Sequence, residues 1–222
     1  MNAASPTVFI VDDDEGLRRS LERRLRAEGW KAESYASGAE FLARAPHDGV
    51  GCLLLDVRMP GTSGPELHVE LSARGNTMPV VFLTGHGDVN TGVAAMKRGA
   101  VDFLVKPVDD TVLVTTIAEA LERHATALAA QQQRQEADVR LARLSPREHE
   151  VLRHVIAGRL NKQIAESMGI TLKTVKVHRA HVMQKMGVSS VAALVHACEG
   201  VRAAQAPPDR DGAVPAHGSK VQ

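Results

Sequence analysis

The stretch Ser5–Ser20, SPTVFIVDDDEGLRRS, sets the apolar run Val8, Phe9, Ile10 and Val11 directly against four acids, Asp12, Asp13, Asp14 and Glu15. Crowded carboxylates repel one another, so such a cluster needs a cation, a helix terminus or both to hold it. Further apolar runs, KAESY, GCLLLD, MPVVFLT and VDFLVKP, follow at intervals, each separated from the next by an amphipathic stretch. Strands alternating with helices predict a doubly wound parallel sheet of five strands covered by helices, and ligands of such sheets bind at the C-terminal ends of the strands. The acids lie at such an end.

The 222 residues are 44% hydrophobic and 24% charged, enough for one large domain or two small ones. The net charge of +1 hides an asymmetry: residues 1–137 carry 14 basic and 19 acidic side chains, residues 138–202 carry 11 and 5. A front half near −5 and a back half near +6, about balanced overall, predict two domains with different partners, the basic one suited to phosphates. Cys52 and Cys198 are too few and too far apart for a disulfide framework or a metal site, so a reducing compartment is expected. No signal peptide and no membrane-spanning run is read, which makes the cytoplasm the expected location.

A helical pattern from Thr111 through Val114, Ile117, Leu121 and Leu128 passes into a polar stretch rich in helix formers, read as a helix extending into a linker. Leu121 and Leu128 stand a heptad apart, but Gln135 breaks the repeat. A second domain opens at LSPREHEVLRHVIAG, where Ser145 is an N-cap, Pro146 suits the first turn, Glu148 completes a capping box and Gly158 ends the helix. Two short helices about the turn residues Gly169 and Ile170 follow, the helix-turn-helix pattern, and a last helix spans roughly residues 189–201. The expected division is therefore 1–124, an α/β domain; 125–142, a helical linker; 143–202, a small all-α domain; and 203–222, a disordered tail.

With the first and third strands adjacent, Asp12, Asp13 and Asp56 converge at one rim and favour a hard divalent cation, Mg²⁺ (or Mn²⁺). Thr84 and Lys106 end two further strands. A hydroxyl and an ammonium beside a cation-loaded acidic pocket suit phosphoryl transfer to a carboxylate, with Asp56 the nucleophile.

These motifs, with TGHGD and MKRGAVDFLVKP, resemble the receiver domain of a two-component response regulator, and the C-terminal half is similar to the LuxR-type helix-turn-helix. From about residue 6 to 200 the chain resembles the FixJ/NarL family, in its FixJ-like branch. The resemblance implies a flavodoxin-like receiver fold with Asp56 as phosphoacceptor. It implies Asp13, Asp56 and the backbone carbonyl of Arg58 as metal ligands, with Asp12 acting through a metal-bound water. Lys106 would hold the phosphoryl group, Thr84 would move toward it, and Phe103 would be the aromatic switch. Asp14 and Glu15 are expected at the first helix's N-terminus, and Cys52 in the core. Arg58 and His86, two residues beyond Asp56 and Thr84, are candidates for tuning the access of water to an acyl phosphate.

In the basic domain, Val175, Val182 and Met186 share a core face of the helix LKTVKVHRAHVMQKM, while Lys173, Thr174, Lys176, His178 and Arg179 lie on other faces. By resemblance, Lys173, Thr174 and Lys176 are the first candidates for base or phosphate contact, His178 and Arg179 the next, and Asn161 and Lys162 touch backbone phosphates. Lys185 is read as solvated, and His178 with His181 as no metal site. Ser190 stands where the family often has an arginine, which leaves an expected contact there in doubt.

The implied function is control of transcription: a sensor histidine kinase donates a phosphoryl group, a homodimer forms through a surface around Val93, Met96 and Val101, and promoter DNA and RNA polymerase are the partners. The chain is expected to be no enzyme beyond its own phosphotransfer and dephosphorylation. Binding DNA independently of phosphorylation is the alternative. A haloacid dehalogenase-type phosphatase would need an acid where Arg58 stands, and a flavodoxin-like carrier would need a phosphate-binding loop where the acids stand.

Overall fold

A computed structural model describes residues 5–85 and 102–205, with side chains as far as Cys198. Five parallel strands, β1 (Thr7–Val11), β2 (Lys31–Tyr35), β3 (Gly51–Asp56), β4 (Val80–Thr84) and β5 (Asp102–Val105), form one sheet in the order β2-β1-β3-β4-β5. All five expected strands are present, and β1 lies beside β3 in the register Val11 to Leu55.

Side chains alternate along each central strand and so divide the core in two. Val8, Ile10, Cys52, Leu54, Val81 and Leu83 face helices α1 (Glu15–Ala27) and α4 (Asp110–Ala142), packing on Leu21, Leu25, Leu113, Ile117 and Leu121. Phe9, Val11, Leu53, Leu55, Val80 and Phe82 face α2 (Gly38–Ala43) and α3 (Gly64–Ala73), packing on Phe41, Leu67 and Leu71. β1 and β3 are buried along their whole length, whereas β2, at the sheet edge, carries the polar sequence KAESY. Cys52 is fully buried, as expected, and its burial pushes the thiol pKa up.

The chain divides into two compact units between Ala130 and Gln131. In the second unit, α5 (Pro146–Ile156), α6 (Asn161–Met168), α7 (Leu172–Met186) and α8 (Val191–Gln205) enclose a core of Val151, Leu152, Val155, Ile164, Val175, Val182, Met186 and Leu194. Left-handed backbone at Gly169 (φ 65°) makes the turn between α6 and α7, a conformation that glycine adopts without steric cost. The stretch read as a linker contributes to this unit: Ala137 is buried, Leu141 packs on the core, and Arg140 donates to the Met186 carbonyl at the end of α7 at 3.2 Å. The last helix runs to Gln205, past the expected end near 201, through the helix formers Ala203, Ala204 and Gln205. His86, Val93, Met96, Val101 and most of the expected tail lie outside the described residues.

Candidate functional site

Strand ends build the site. Asp12 follows β1, Asp56 ends β3, Thr84 ends β4, and Lys106 follows β5, so the sheet order brings four separated segments to one rim. Asp12 is fully buried and Asp56 nearly so, while Asp13 is exposed at the mouth. Lys106 Nζ spans the two buried acids, 2.7 Å from Asp12 Oδ2 and 3.1 Å from Asp56 Oδ1. Two carboxylates thus share one ammonium. Burial raises the Asp56 pKa, with Asp12 adding to the rise, while Lys106 and the Arg58 backbone N–H oppose it. Burial also works against the charge of Lys106, but the hydrogen bond to Asp12 and the charges of both acids outweigh it and hold the ammonium above its usual value.

Local structure fixes each group. Asp12 Oδ1 accepts from Asp14 N–H at 2.9 Å, and Arg18 Nη1 donates to the Asp12 carbonyl at 2.6 Å, tying the β1–α1 turn to its helix. Asp14 is the N-cap of α1, accepting from Leu17 N–H at 3.1 Å, and Glu15 lies in the first turn, so these two acids stabilise the helix terminus as expected. Thr84 is fully buried, and its carbonyl accepts from Lys106 N–H at 2.7 Å. The Lys106–Pro107 peptide bond is cis. Phe103 is half-buried against the core face that contains Phe82 and Leu55.

Gly64 is a site residue that the sequence reading passed over. A Cβ there would lie 2.2 Å from the Asp56 carbonyl oxygen, so only glycine lets the β3–α3 loop close on the strand end. The Gly64 N–H donates to the Val57 carbonyl at 3.2 Å across that approach.

Asp12, Asp13 and Asp56 place one carboxylate oxygen each within 4.8 Å of the others, close enough to share an ion. The donor set is oxygen only. Such donors fit a hard divalent cation that keeps several waters, and the excess of carboxylates over the one ammonium leaves negative charge for it to neutralise.

The second unit has its own polar arrangement. On α7, Lys173 and Lys176 are exposed, and Thr174 is engaged in the N-cap, its Oγ1 2.8 Å from Thr171 Oγ1. His178 is half-buried, with its Nδ1 enclosed and lacking a hydrogen-bond partner. Arg179 Nη1 donates to Asn161 Oδ1 at 2.6 Å, and Lys162 is exposed beside it. Lys185 is exposed, as expected, but it is also engaged: its Nζ lies 2.6 Å from Glu148 Oε2 and donates to the Arg143 carbonyl at 3.3 Å. The buried Glu148 carboxylate demands a cation, and the C-terminal turn of α7 supplies it. Glu148 also accepts from Ser145 N–H at 2.7 Å, completing the expected capping box.

A parallel α/β unit with an acidic rim bridged by lysine, in one chain with a helix-turn-helix unit, defines a signal-receiving domain joined to a DNA-binding one. Family comparison resolves the class further. Residues 8–118 match the response regulator receiver domain, and residues 142–198 match the bacterial regulatory proteins of the luxR family. The chain is 46% identical to the C4-dicarboxylate transport transcriptional regulatory protein DctR of Rhodobacter capsulatus, over 85% of this chain and 96% of that protein. It is also 46% identical to the transcriptional regulatory protein FixJ of Azorhizobium caulinodans, over 85% and 89%. Among solved structures, the response regulator StyR superposes with a TM-score of 0.80 at 43% identity, covering 88% of this chain and 99% of that one. The chain belongs to the two-component response regulators of the FixJ/NarL family, in its FixJ-like branch. Its receiver domain implies a histidine kinase partner and its LuxR-type domain implies DNA binding. Among the described residues no helix is long and apolar enough to cross a membrane.

Proposed function

We propose that Asp56 accepts a phosphoryl group from a sensor histidine kinase and that the modified receiver controls binding of the second unit to promoter DNA. The observation that carries this reading is Lys106 Nζ lying within 3.1 Å of both Asp12 and Asp56 at the strand ends. In the transfer, an Asp56 carboxylate oxygen attacks phosphorus, the bond from phosphorus to the donor nitrogen or oxygen breaks, and the leaving group keeps that electron pair. A Mg²⁺ (or Mn²⁺) held by Asp12, Asp13, Asp56 and the Arg58 carbonyl would neutralise charge on the phosphoryl oxygens. Asp56 presents its carboxylate at the rim, and Lys106 leaves Asp56 for a phosphoryl oxygen while keeping its bond to Asp12. Thr84 turns its hydroxyl toward the new oxygens, and Phe103 repacks into the space that Thr84 vacates. Arg58 flanks the acyl phosphate and tunes the approach of water to it. The chain catalyses no reaction other than this transfer and the loss of its own phosphoryl group.

The repacking biases a surface through which two copies pair, setting two basic units on half-sites about one helical turn apart. Lys173, Thr174, Lys176 and His178 of α7 read or touch DNA in the major groove, with Lys162 on the backbone, and RNA polymerase is the recipient of the signal. The protein works in the cytoplasm, where kinase and promoter are both accessible. The test is DNA binding by fluorescence anisotropy on promoter fragments, with and without Mg²⁺ and a small phosphoryl donor, for the native chain and Asp56→Asn. Donor-dependent tightening in the native chain alone is expected. Equal binding in all conditions would leave DNA binding standing and remove the switch, which is the behaviour of a phosphorylation-independent regulator.

A further inference from the structure

Arg179 is held in an unusual way for a surface cation. Its Nη1 donates to Asn161 Oδ1 at 2.6 Å, a bond between the middle of α7 and the first residue of α6. The partner is a neutral amide. A carboxylate at the same place would orient the guanidinium and cancel its charge, whereas an amide orients it and leaves the charge intact.

The surroundings are positive as well. α6 begins at Asn161 with no acid in its first turn, and Lys162 and Arg159 flank the position. The N-terminus of a helix carries partial positive charge, so a guanidinium fixed beside it is unfavourable unless an anion joins them. On α7, Arg179 stands three residues after Lys176, which in turn follows Lys173 by three. Each step of three rotates about 60° around the helix, which carries the stripe from the exposed face at Lys173 to the half-buried edge facing α6. In a helix-turn-helix whose second helix enters the major groove, that edge meets the sugar-phosphate backbone, because the first helix crosses it there.

We infer that Asn161 is a positioning residue: it does not bind DNA through its own amide but aims the uncancelled guanidinium of Arg179 at a backbone phosphate. The inference rests on the DNA-binding reading of the second unit, and it changes the role of Asn161 from a phosphate contact to the orienter of one. One Arg179 N–H is spent on Asn161, which fixes the plane of the guanidinium and leaves its other N–H groups in a set direction. A free arginine side chain loses its rotamer freedom on being fixed against a phosphate, so prior orientation of the fork strengthens the contact.

A double-substitution cycle on the full chain tests it, read by fluorescence anisotropy with a mixed-sequence DNA duplex across a salt series. Phosphate contacts act on any sequence, so no promoter needs to be known. Arg179→Ala is expected to weaken binding several-fold and to lower the slope of log affinity against log salt by about 0.9, the contribution of one phosphate contact. Asn161→Ala is expected to weaken binding in the same direction, yet to change it less than about twofold when Arg179 is already alanine. Thermal melting of the second unit reports whether either variant acts through stability, which the salt slope does not sense. Multiplicative losses in the double variant would make Asn161 an independent contact and overturn the inference. Unchanged slopes in both single variants would also overturn it, reducing the pair to a tie between helices. Failure of the native chain to bind any duplex even with Mg²⁺ and a small phosphoryl donor present would instead remove the DNA-binding reading itself.

Discussion

Asp56 and Glu148 are both nearly buried carboxylates beside a lysine, and their surroundings push them in opposite directions. Asp56 shares Lys106 with a second buried acid, and burial raises its pKa. Glu148 has Lys185 to itself and also takes the Ser145 backbone N–H, and these bonds hold its carboxyl at about 2. The difference is between an acid left short of positive charge and one fully supplied. An undersupplied carboxylate is available for a cation or a phosphoryl group, and a satisfied one ties helices together.

The largest effect is expected where that shortage is enforced by backbone. Gly64→Ala would drive a Cβ to 2.2 Å from the Asp56 carbonyl oxygen, so the strand end or the loop must move. We expect a loss of about 3 kcal/mol in the receiver, the upper part of the overpacking range, measured by urea unfolding. The rise in melting temperature on adding Mg²⁺ should fall with it, because the same carbonyl-bearing residue supplies the carboxylate. A normal Mg²⁺ response in this variant would show that the acid cluster does not depend on the approach of that loop.

Glu148→Ala comes next and sharpens the other side of the comparison. It strands the Ser145 N–H and removes the bond that ties Lys185 to α5, at a cost of about 2 kcal/mol to the second unit. The folded pKa lies below the ordinary 4.5, so the stability Glu148 contributes is complete above about 4.5 and is lost as pH falls toward about 2. Melting of the native chain should therefore drop over that window, and Glu148→Gln should lose that part of the drop. Identical acid curves for the two would mean that other carboxylates of the unit carry the pH dependence.

Asp56→Asn should act with the opposite sign. Removing one of two carboxylates that share an ammonium relieves burial and repulsion while Lys106 keeps its 2.7 Å bond to Asp12. The receiver without added divalent cation is expected to gain about 1 kcal/mol. Added Mg²⁺ should then stabilise the native receiver more than the variant, since a ligand stabilises the state that binds it. Destabilisation by Asp56→Asn would place the Lys106–Asp56 pair among the supports of the fold and weaken the contrast with Glu148.

The strands and the acid pocket were legible in sequence for a physical reason. β1, β3 and β4 are buried along their length and therefore read as unbroken apolar runs with Asp12, Asp56 and Thr84 at their ends, while Lys106 follows the short run of β5. Once the runs are ordered as a parallel sheet, Asp12, Asp56, Thr84 and Lys106 converge without further information. Pairings across distant segments were not legible. Lys185 meets Glu148 and Arg179 meets Asn161 through the angle at which α7 crosses its neighbours, which no periodicity encodes. A signal for the first did exist, since a glutamate that caps a helix and is buried needs a cation. Gly64 was hidden differently, because its role depends on a backbone approach rather than on a side chain.

Ser190 gives the smallest expected effect and separates structure from DNA contact at a place where the family pattern led to expect an arginine. Its Oγ accepts from Ala193 N–H at 3.1 Å, and its carbonyl accepts from Leu194 N–H at 3.0 Å, so it caps the start of α8. A serine cap satisfies one of the orphan donors of the first turn, and its loss costs about 0.5–1 kcal/mol. Ser190→Ala should lower the stability of the second unit by that amount and leave the salt slope of DNA binding unchanged, because no charge is removed. A shallower slope would mean that the hydroxyl touches phosphate as well. An unchanged melting temperature would mean that the cap bond is replaced by water at no cost, and that the short side chain here serves neither the helix nor the DNA.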